Sequence, residues 1–231
     1  MTLDYLLELD QRLLLWFNGS DSLFLDHLVE ILTWGFTWTP LYVALFYMVV
    51  KNNETMLQIA ITVGGAALCI LLADGLADGI VKPLVGRPRP AQDPTIKYIV
   101  DVVNGHRGSG FSFFSAHAAN TMSLAVFFTL LVRSKLFGGV MFAWSVLNCW
   151  TRLYLGLHYP TDILCGVLWG VLAGLVSYMV FCKFYFKASP KINYISSHYT
   201  STGYSAADID VVMIVVVLIC AVSVLLSLQV Y

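Results

Sequence analysis

Six stretches of about 20 apolar residues constrain this chain more than any other feature, because that length is what a helix needs to cross a bilayer. They run from Ile31 to Val50, Met56 to Leu84, Phe113 to Val132, Leu136 to Tyr154, Thr161 to Phe181 and Val211 to Val230. Charge is correspondingly scarce. Only 12% of the 231 residues are charged and the mean hydropathy is +0.77, where a soluble domain carries about 25% charged residues. The expected fold is all-α: a polytopic membrane helix bundle with six transmembrane helices, forming one domain over residues 1–231.

Residues 3–18 add an N-terminal helix. Leu3, Leu6, Leu7, Leu13, Leu14 and Phe17 recur near helical spacing, which suits an amphipathic helix lying in the membrane interface; packing against the bundle is the alternative. Asp4, Glu8 and Asp10 in this segment, with no basic run, do not read as a cleavable signal. Pro40 is the expected position of a kink in the first span. Short connections make the first and second spans, and the third and fourth, antiparallel neighbours. The five cysteines are scattered through apolar stretches and read as small buried hydrophobes rather than disulfides or metal ligands. A net charge of -1 provides no basic field for nucleic acid.

Lys51, Arg133, Lys135, Lys183, Lys187 and Lys191 fall on one side of the expected six spans, and the positive-inside rule makes that side cytoplasmic. The opposite side carries Lys82, Arg87, Arg89, Lys97, Arg107 and Arg152 against the trend. A demand for anion binding explains them.

Three clusters lie on that second side: Lys82-x6-Arg89-Pro90, Ser115-Ala116-His117, and Thr151-Arg152-x5-His158-x3-Asp162. Cations, two imidazoles and a carboxylate suit gripping a phosphate, attacking it and protonating the leaving oxygen. Arg binds a phosphate as a planar fork and Lys as a point charge. The Arg87-Pro-Arg89-Pro run leaves either arginine as the ligand, and Lys82 taken alone reads as a cation snorkelling at a helix end. Ser115 can cap a helix whose first N–H groups face an anion, with small Ala116 permitting close approach. His117 taken alone reads as an interface residue. Asp162, four residues after His158, can turn back to the imidazole and fix its tautomer, or serve only as a helix-start residue. Asp74, Asp78 and Lys82 share one helix face; an Asp78–Lys82 ion pair is the simplest reading, and Asp74 has no assigned role. His106 and Arg107 read as solvated loop residues. Asn18-Gly19-Ser20 matches a glycosylation sequon by pattern alone.

Together the clusters resemble the signature of the type 2 phosphatidic acid phosphatase superfamily: K-x6-R-P, then P-S-G-H, then S-R-x5-H-x3-D. The likeness covers residues 82–162, with Thr151 in place of Ser, Phe114 in place of Pro and Ala116 in place of Gly. It implies a lipid phosphatase that uses neither a metal nor a cofactor. His158 would be the nucleophile and form a phosphohistidine, Asp162 would orient and polarise it, and His117 would protonate the leaving oxygen. Lys82, Arg89, Arg152, Ser115 and the backbone near Ala116 would hold the phosphoryl oxygens. Soluble vanadium haloperoxidases share the third motif, but the apolar spans and small size argue against them. The resemblance further implies a bacterial inner (cytoplasmic) membrane, a site facing the periplasm and a phosphorylated membrane lipid as partner. Undecaprenyl diphosphate is the first substrate expected, followed by a 1- or 4′-phosphate of lipid A and then phosphatidylglycerol phosphate. No motif speaks to the oligomeric state. The competing class is a lipid carrier or assembly component that keeps an anion pocket, which intact His117, His158 and Asp162 disfavour.

Overall fold

A computed structural model describes residues 3–189 and 195–229; Lys191, grouped above with the cytoplasmic cations, lies outside them. Nine α-helices follow the apolar pattern among the described residues: α1 (Leu3–Phe17), α2 (Leu23–Thr33), α3 (Thr39–Lys51), α4 (Met56–Leu76), α5 (Lys82–Val85), α6 (Ala116–Val132), α7 (Lys135–Tyr154), α8 (Pro160–Ala188) and α9 (Ala206–Leu228). Local chemistry sets their ends. Thr55 and Gln58 cap α4 reciprocally, Ser115 and Ser134 cap α6 and α7, and Pro160 opens α8, where its missing N–H costs nothing. A π-helical turn over Ala77–Val81 carries α4 into α5, so the second expected span continues unbroken to Val85.

The spans differ in detail from the expected six. By length and apolarity three segments qualify among the described residues: Met56–Gln92, Pro160–Ala188 and Ala206–Leu228. The pair Leu23–Thr33 and Gly35–Lys51, bent by 66°, brings the number to four if counted as one span. The bend falls at Trp34 and not at Pro40, which sits harmlessly in the first turn of α3. At 17 residues α6 is about 26 Å long. It is the central helix, packed against α4, α7 and α8 and buried on nearly every side, so it has little lipid to face. The 20-residue α7 has the length but carries Ser145, Asn148 and Arg152.

Glycine determines how α6 meets α8. A Cβ on Gly166, Gly170 or Gly174 would come within 2.6, 2.6 and 2.7 Å of the carbonyl oxygens of Ser115, Ala119 and Ser123. Small residues at every fourth position let the two backbones close up. The matching order of these contacts makes the pair parallel, so both N-termini, with their functional residues, emerge at the same end. Farther along, Phe127, Leu131, Met141, Trp144, Met48 and Val216 form the main apolar core.

The N-terminal helix docks on the bundle. Leu14 is fully buried and Asp10 nearly so, while Leu6, Leu13 and Trp16 remain exposed on the outer face. At the end of α1, the Asn18 amide donates to the carbonyls of Asp101 (3.0 Å) and Tyr154 (2.6 Å) and accepts from Asp101 N–H (2.8 Å). The sequon pattern at Asn18 is therefore a buried structural tie. All five cysteines are free thiols, Cys69 and Cys149 being buried.

Candidate active site

The three clusters converge on one cleft of about 590 Å³, walled by Lys82, Arg89, Ala116, His117, Arg152 and His158. The parallel α6–α8 pair supplies His117 and the turn before α8, the end of α7 supplies Arg152, and α5 with the loop after it supplies the other cations.

His158 is 2% exposed, in the turn between α7 and α8. Its Nδ1 lies 3.7 Å from Asp162 Oδ2, an ion-pair contact slightly beyond hydrogen-bond length, and 3.5 Å from Ser112 Oγ. Nε2 turns the other way, 3.5 Å from an Arg89 nitrogen. Acceptors around Nδ1 favour the tautomer that leaves an Nε2 lone pair aimed at the cleft. Burial pushes the His158 imidazole down to about 4 from an ordinary 6.5, helped by Arg152 and Arg89 and opposed by Asp162.

Asp162 has no exposed surface. Its Oδ2 accepts from the Tyr159 backbone N–H at 2.9 Å and from the Ser112 hydroxyl; its Oδ1 accepts from Arg87 at 2.6 Å. The carboxylate expected to turn back to the imidazole lies 3.7 Å from His158 Nδ1, and its hydrogen bonds go to Tyr159 N–H, Ser112 and Arg87.

The two arginines of the Arg-Pro-Arg-Pro run separate. Arg89 is on the cleft wall, held by its Nε to the Ser109 carbonyl (3.0 Å) and by an NH1 bond to the Leu157 carbonyl (3.0 Å). Gly108, at φ +64°, leaves room for it: a Cβ there would lie 3.0 Å from Arg89 Cδ. Arg87 is off the wall and binds Asp162, Thr161 and Asp10 instead. Arg152 donates to Thr33 Oγ1 at 2.7 Å, and its buried Nε has no partner among the described residues. Lys82 pairs with Asp78 at 2.5 Å, as the helix spacing suggests. Asp74 accepts from Asn120 at 2.7 Å, and both line the cleft.

Ser115 differs from its expected place. Its side chain is fully buried, its hydroxyl accepts from Ala118 N–H at 3.4 Å, and its own N–H donates to the Asp162 carbonyl at 3.1 Å. It joins the two helix starts and is absent from the cleft wall, while its neighbour Ala116 lines that wall.

Residue reasoning also missed Ser112, Thr33 and Asp10. Ser112 and Thr33 carry no local signal. Asp10 does carry one: it lies four residues before buried Leu14 on the same helix face, and an acid on an apolar stripe demands a partner. A second cavity of about 350 Å³ lies at the other end of the bundle, between Asn52, Arg133 and Thr202. Its polar groups bond to one another, as in Gln58–Ser189 and Tyr185–Asn53.

An anion cleft at one end of an apolar bundle, with two imidazoles facing its cations, defines the class: a membrane-embedded phosphatase for phosphorylated lipids. Comparison with known proteins agrees. Residues 62–186 match the PAP2 superfamily. The lipid A 4′-phosphatase of Bacteroides thetaiotaomicron is 38% identical over 179 residues, covering 77% of this chain and 79% of that protein. The lipid A 4′-phosphatase of Porphyromonas gingivalis is 30% identical over 179 residues, covering 78% and 75%. The crystal structure of Aquifex aeolicus LpxE aligns with a TM-score of 0.57 at 25% identity, over 73% of this chain and 93% of that one. The chain belongs to the PAP2 superfamily. It is a lipid phosphatase, a phosphoric ester hydrolase of the membrane.

Proposed function

We propose that this protein removes a phosphate from lipid A, at the 4′-position, as one membrane domain over residues 1–231 of a bacterial inner membrane with its cleft toward the periplasm. The observation that carries the substrate is the 38% identity to a lipid A 4′-phosphatase over most of both chains. Undecaprenyl diphosphate, the first substrate expected from the family resemblance, has no such support and yields its place.

His158 Nε2 attacks phosphorus, and the P–O bond to the sugar breaks as a P–N bond forms. His117 gives its proton to the departing oxygen. It then takes a proton from water, whose oxygen attacks the phosphohistidine, releasing inorganic phosphate and restoring His158. Lys82, Arg89 and Arg152 hold the equatorial oxygens, where charge accumulates in an in-line transfer. The buried Arg152 Nε, without a partner among the described residues, and the inward Nε2 of His158 support this assignment. Ser115 acts by fixing the start of α6 rather than by touching the phosphate. Ala116, which stands where the family pattern has glycine, lines the cleft and is buried in an apolar cluster with Ala73, Ala77, Phe114 and Ala119.

The test is phosphate release by purified protein from lipid A, undecaprenyl diphosphate, phosphatidylglycerol phosphate and phosphatidic acid, with and without EDTA, beside His158→Ala. Preferred loss of the 4′-phosphate, insensitive to EDTA and absent in the variant, is expected. Turnover of another lipid with lipid A untouched would remove the substrate assignment and leave the class intact.

A further inference from the structure

We infer that Arg87 and Asp10 are positioning residues for the reaction, a two-residue clamp that holds the Asp162 carboxylate in the rotamer and charge state that His158 needs. The inference rests on the histidine mechanism proposed above.

Arg87 is one of the two arginines expected to grip phosphate, yet it is absent from the cleft wall. NH1 donates to Asp162 Oδ1 at 2.6 Å and to Thr161 Oγ1 at 2.8 Å; NH2 donates to Asp10 Oδ2 at 2.6 Å. The Tyr159 ring covers one face at 3.8 Å, and the Tyr159 hydroxyl is fixed in turn on Asp93 at 2.6 Å. Asp10 completes the circuit. Its Oδ1 accepts from Thr161 N–H at 2.9 Å and its Oδ2 from the Thr161 hydroxyl at 2.5 Å. The residue next to Asp162 in sequence is therefore bonded to the same carboxylate that steers Arg87.

The arrangement has a physical purpose. Asp162 and Asp10 are 0% and 3% exposed, and a buried carboxylate without a cation takes up a proton. A protonated Asp162 could neither polarise His158 nor stabilise positive charge on it. Arg87 prevents that, and only a planar fork reaches two carboxylates and a hydroxyl at once. Asp10 prevents the opposite failure: with Asp162 as its only acid, Arg87 would form a neutral pair and cancel the charge offered to His158. With Asp10 present, the trio keeps one net negative charge beside Nδ1. Because Asp10 is on α1, the N-terminal helix becomes part of the reaction centre although it touches no substrate.

The test compares Arg87→Lys, Arg87→Gln and Asp10→Asn with the parent and with His158→Ala, on any phosphorylated lipid the parent hydrolyses in detergent. It reads kcat, KM and inhibition by inorganic phosphate. Outer-shell partners of this kind are worth about 10- to 100-fold in activity, so kcat should fall by that much in Arg87→Gln and Asp10→Asn. KM and the phosphate inhibition constant should stay within about twofold, because the groups that bind phosphate are untouched. Arg87→Lys should recover part of the loss. A rise in KM and phosphate inhibition constant with the fall in kcat would make Arg87 a substrate ligand and overturn the clamp. Equal kcat in parent, Arg87→Lys and Asp10→Asn would also overturn it, even if Arg87→Gln fails to fold. Turnover surviving in His158→Ala defeats the underlying mechanism instead; an inert His158→Ala beside unaffected clamp variants defeats only this inference.

Discussion

The Nδ1 atom of His158 faces Asp162 Oδ2 across 3.7 Å, in a turn where both side chains are buried. The pair is local in sequence, yet Ser112, Arg87 and the Tyr159 backbone all bond the same carboxylate. These donors hold the carboxylate in place beside the imidazole.

Asp162→Asn should therefore keep the shape of the site and lose most of its rate. In a histidine–aspartate pair elsewhere the same exchange costs about 10⁴-fold in kcat through the wrong tautomer. A fall of about 10³- to 10⁴-fold is expected here, with a near-unchanged unfolding midpoint. Phosphate release and thermal melting, measured together, check it; retention of a tenth of the activity would contradict the role.

The pH dependence has a definite sign. Burial holds His158 at about 4, so the nucleophile is neutral and competent above that pH and is lost as pH falls through it. The acid limb of kcat/KM in the free enzyme belongs near 4, well below the ordinary 6.5. The same group makes the fold less stable on acidification: between 6.5 and about 4 the unfolded chain binds the proton and the folded one does not. An activity profile down to pH 4 that broke at 6.5 would place a different group in control.

Lys82, Arg89 and Arg152 face the same cleft from different elements. Removing one preorganised charge from a developing oxyanion costs about 10²- to 10³-fold in kcat, and Arg152→Ala should show that loss. Lys82→Ala should behave likewise while freeing the Asp78 carboxylate, 2.5 Å from the ammonium, to repel phosphate. Steady-state kinetics with inorganic phosphate as inhibitor would register both effects; an unaltered phosphate inhibition constant in Arg152→Ala would remove it from the binding site.

Gly170→Val should separate the two halves of the site without touching either. Its Cβ would come within 2.6 Å of the Ala119 carbonyl and 2.8 Å of Met122 Cβ, contacts with no room to yield. Overpacking of this kind costs about 1–3 kcal/mol, and the shift should lower both the melting temperature and kcat. A variant as stable and as active as the parent would show that α6 and α8 need not approach so closely.

Much of the fold was readable because its cause is local. Hydropathy placed the ends of α4 (taken on through α5 to Val85), α6, α7 and α9 within about five residues, but the first expected span divides between α2 and α3 and α8 runs on past Phe181 to Ala188; Thr55, Ser115 and Pro160 sit where their helices begin. The number of spans was less readable, since α6 is wrapped by protein and α7 carries polar residues inward. Length and apolarity describe contact with lipid, and these two helices make less of it.

The sequence by itself determined that this chain is a helical membrane protein, and that the two histidines, one aspartate and three cations of its signature gather at one end. Each follows from composition, short-range spacing or helix direction. Only the tertiary structure decided which arginine of Arg87-Pro-Arg89-Pro lines the cleft, that Ser115 joins two helix starts and stays off the cleft wall, and that Asp10 bonds Arg87 from 77 residues away. Those outcomes depend on where side chains point once α1, α6 and α8 have packed, and on which buried charges find a partner there. No local pattern records either one.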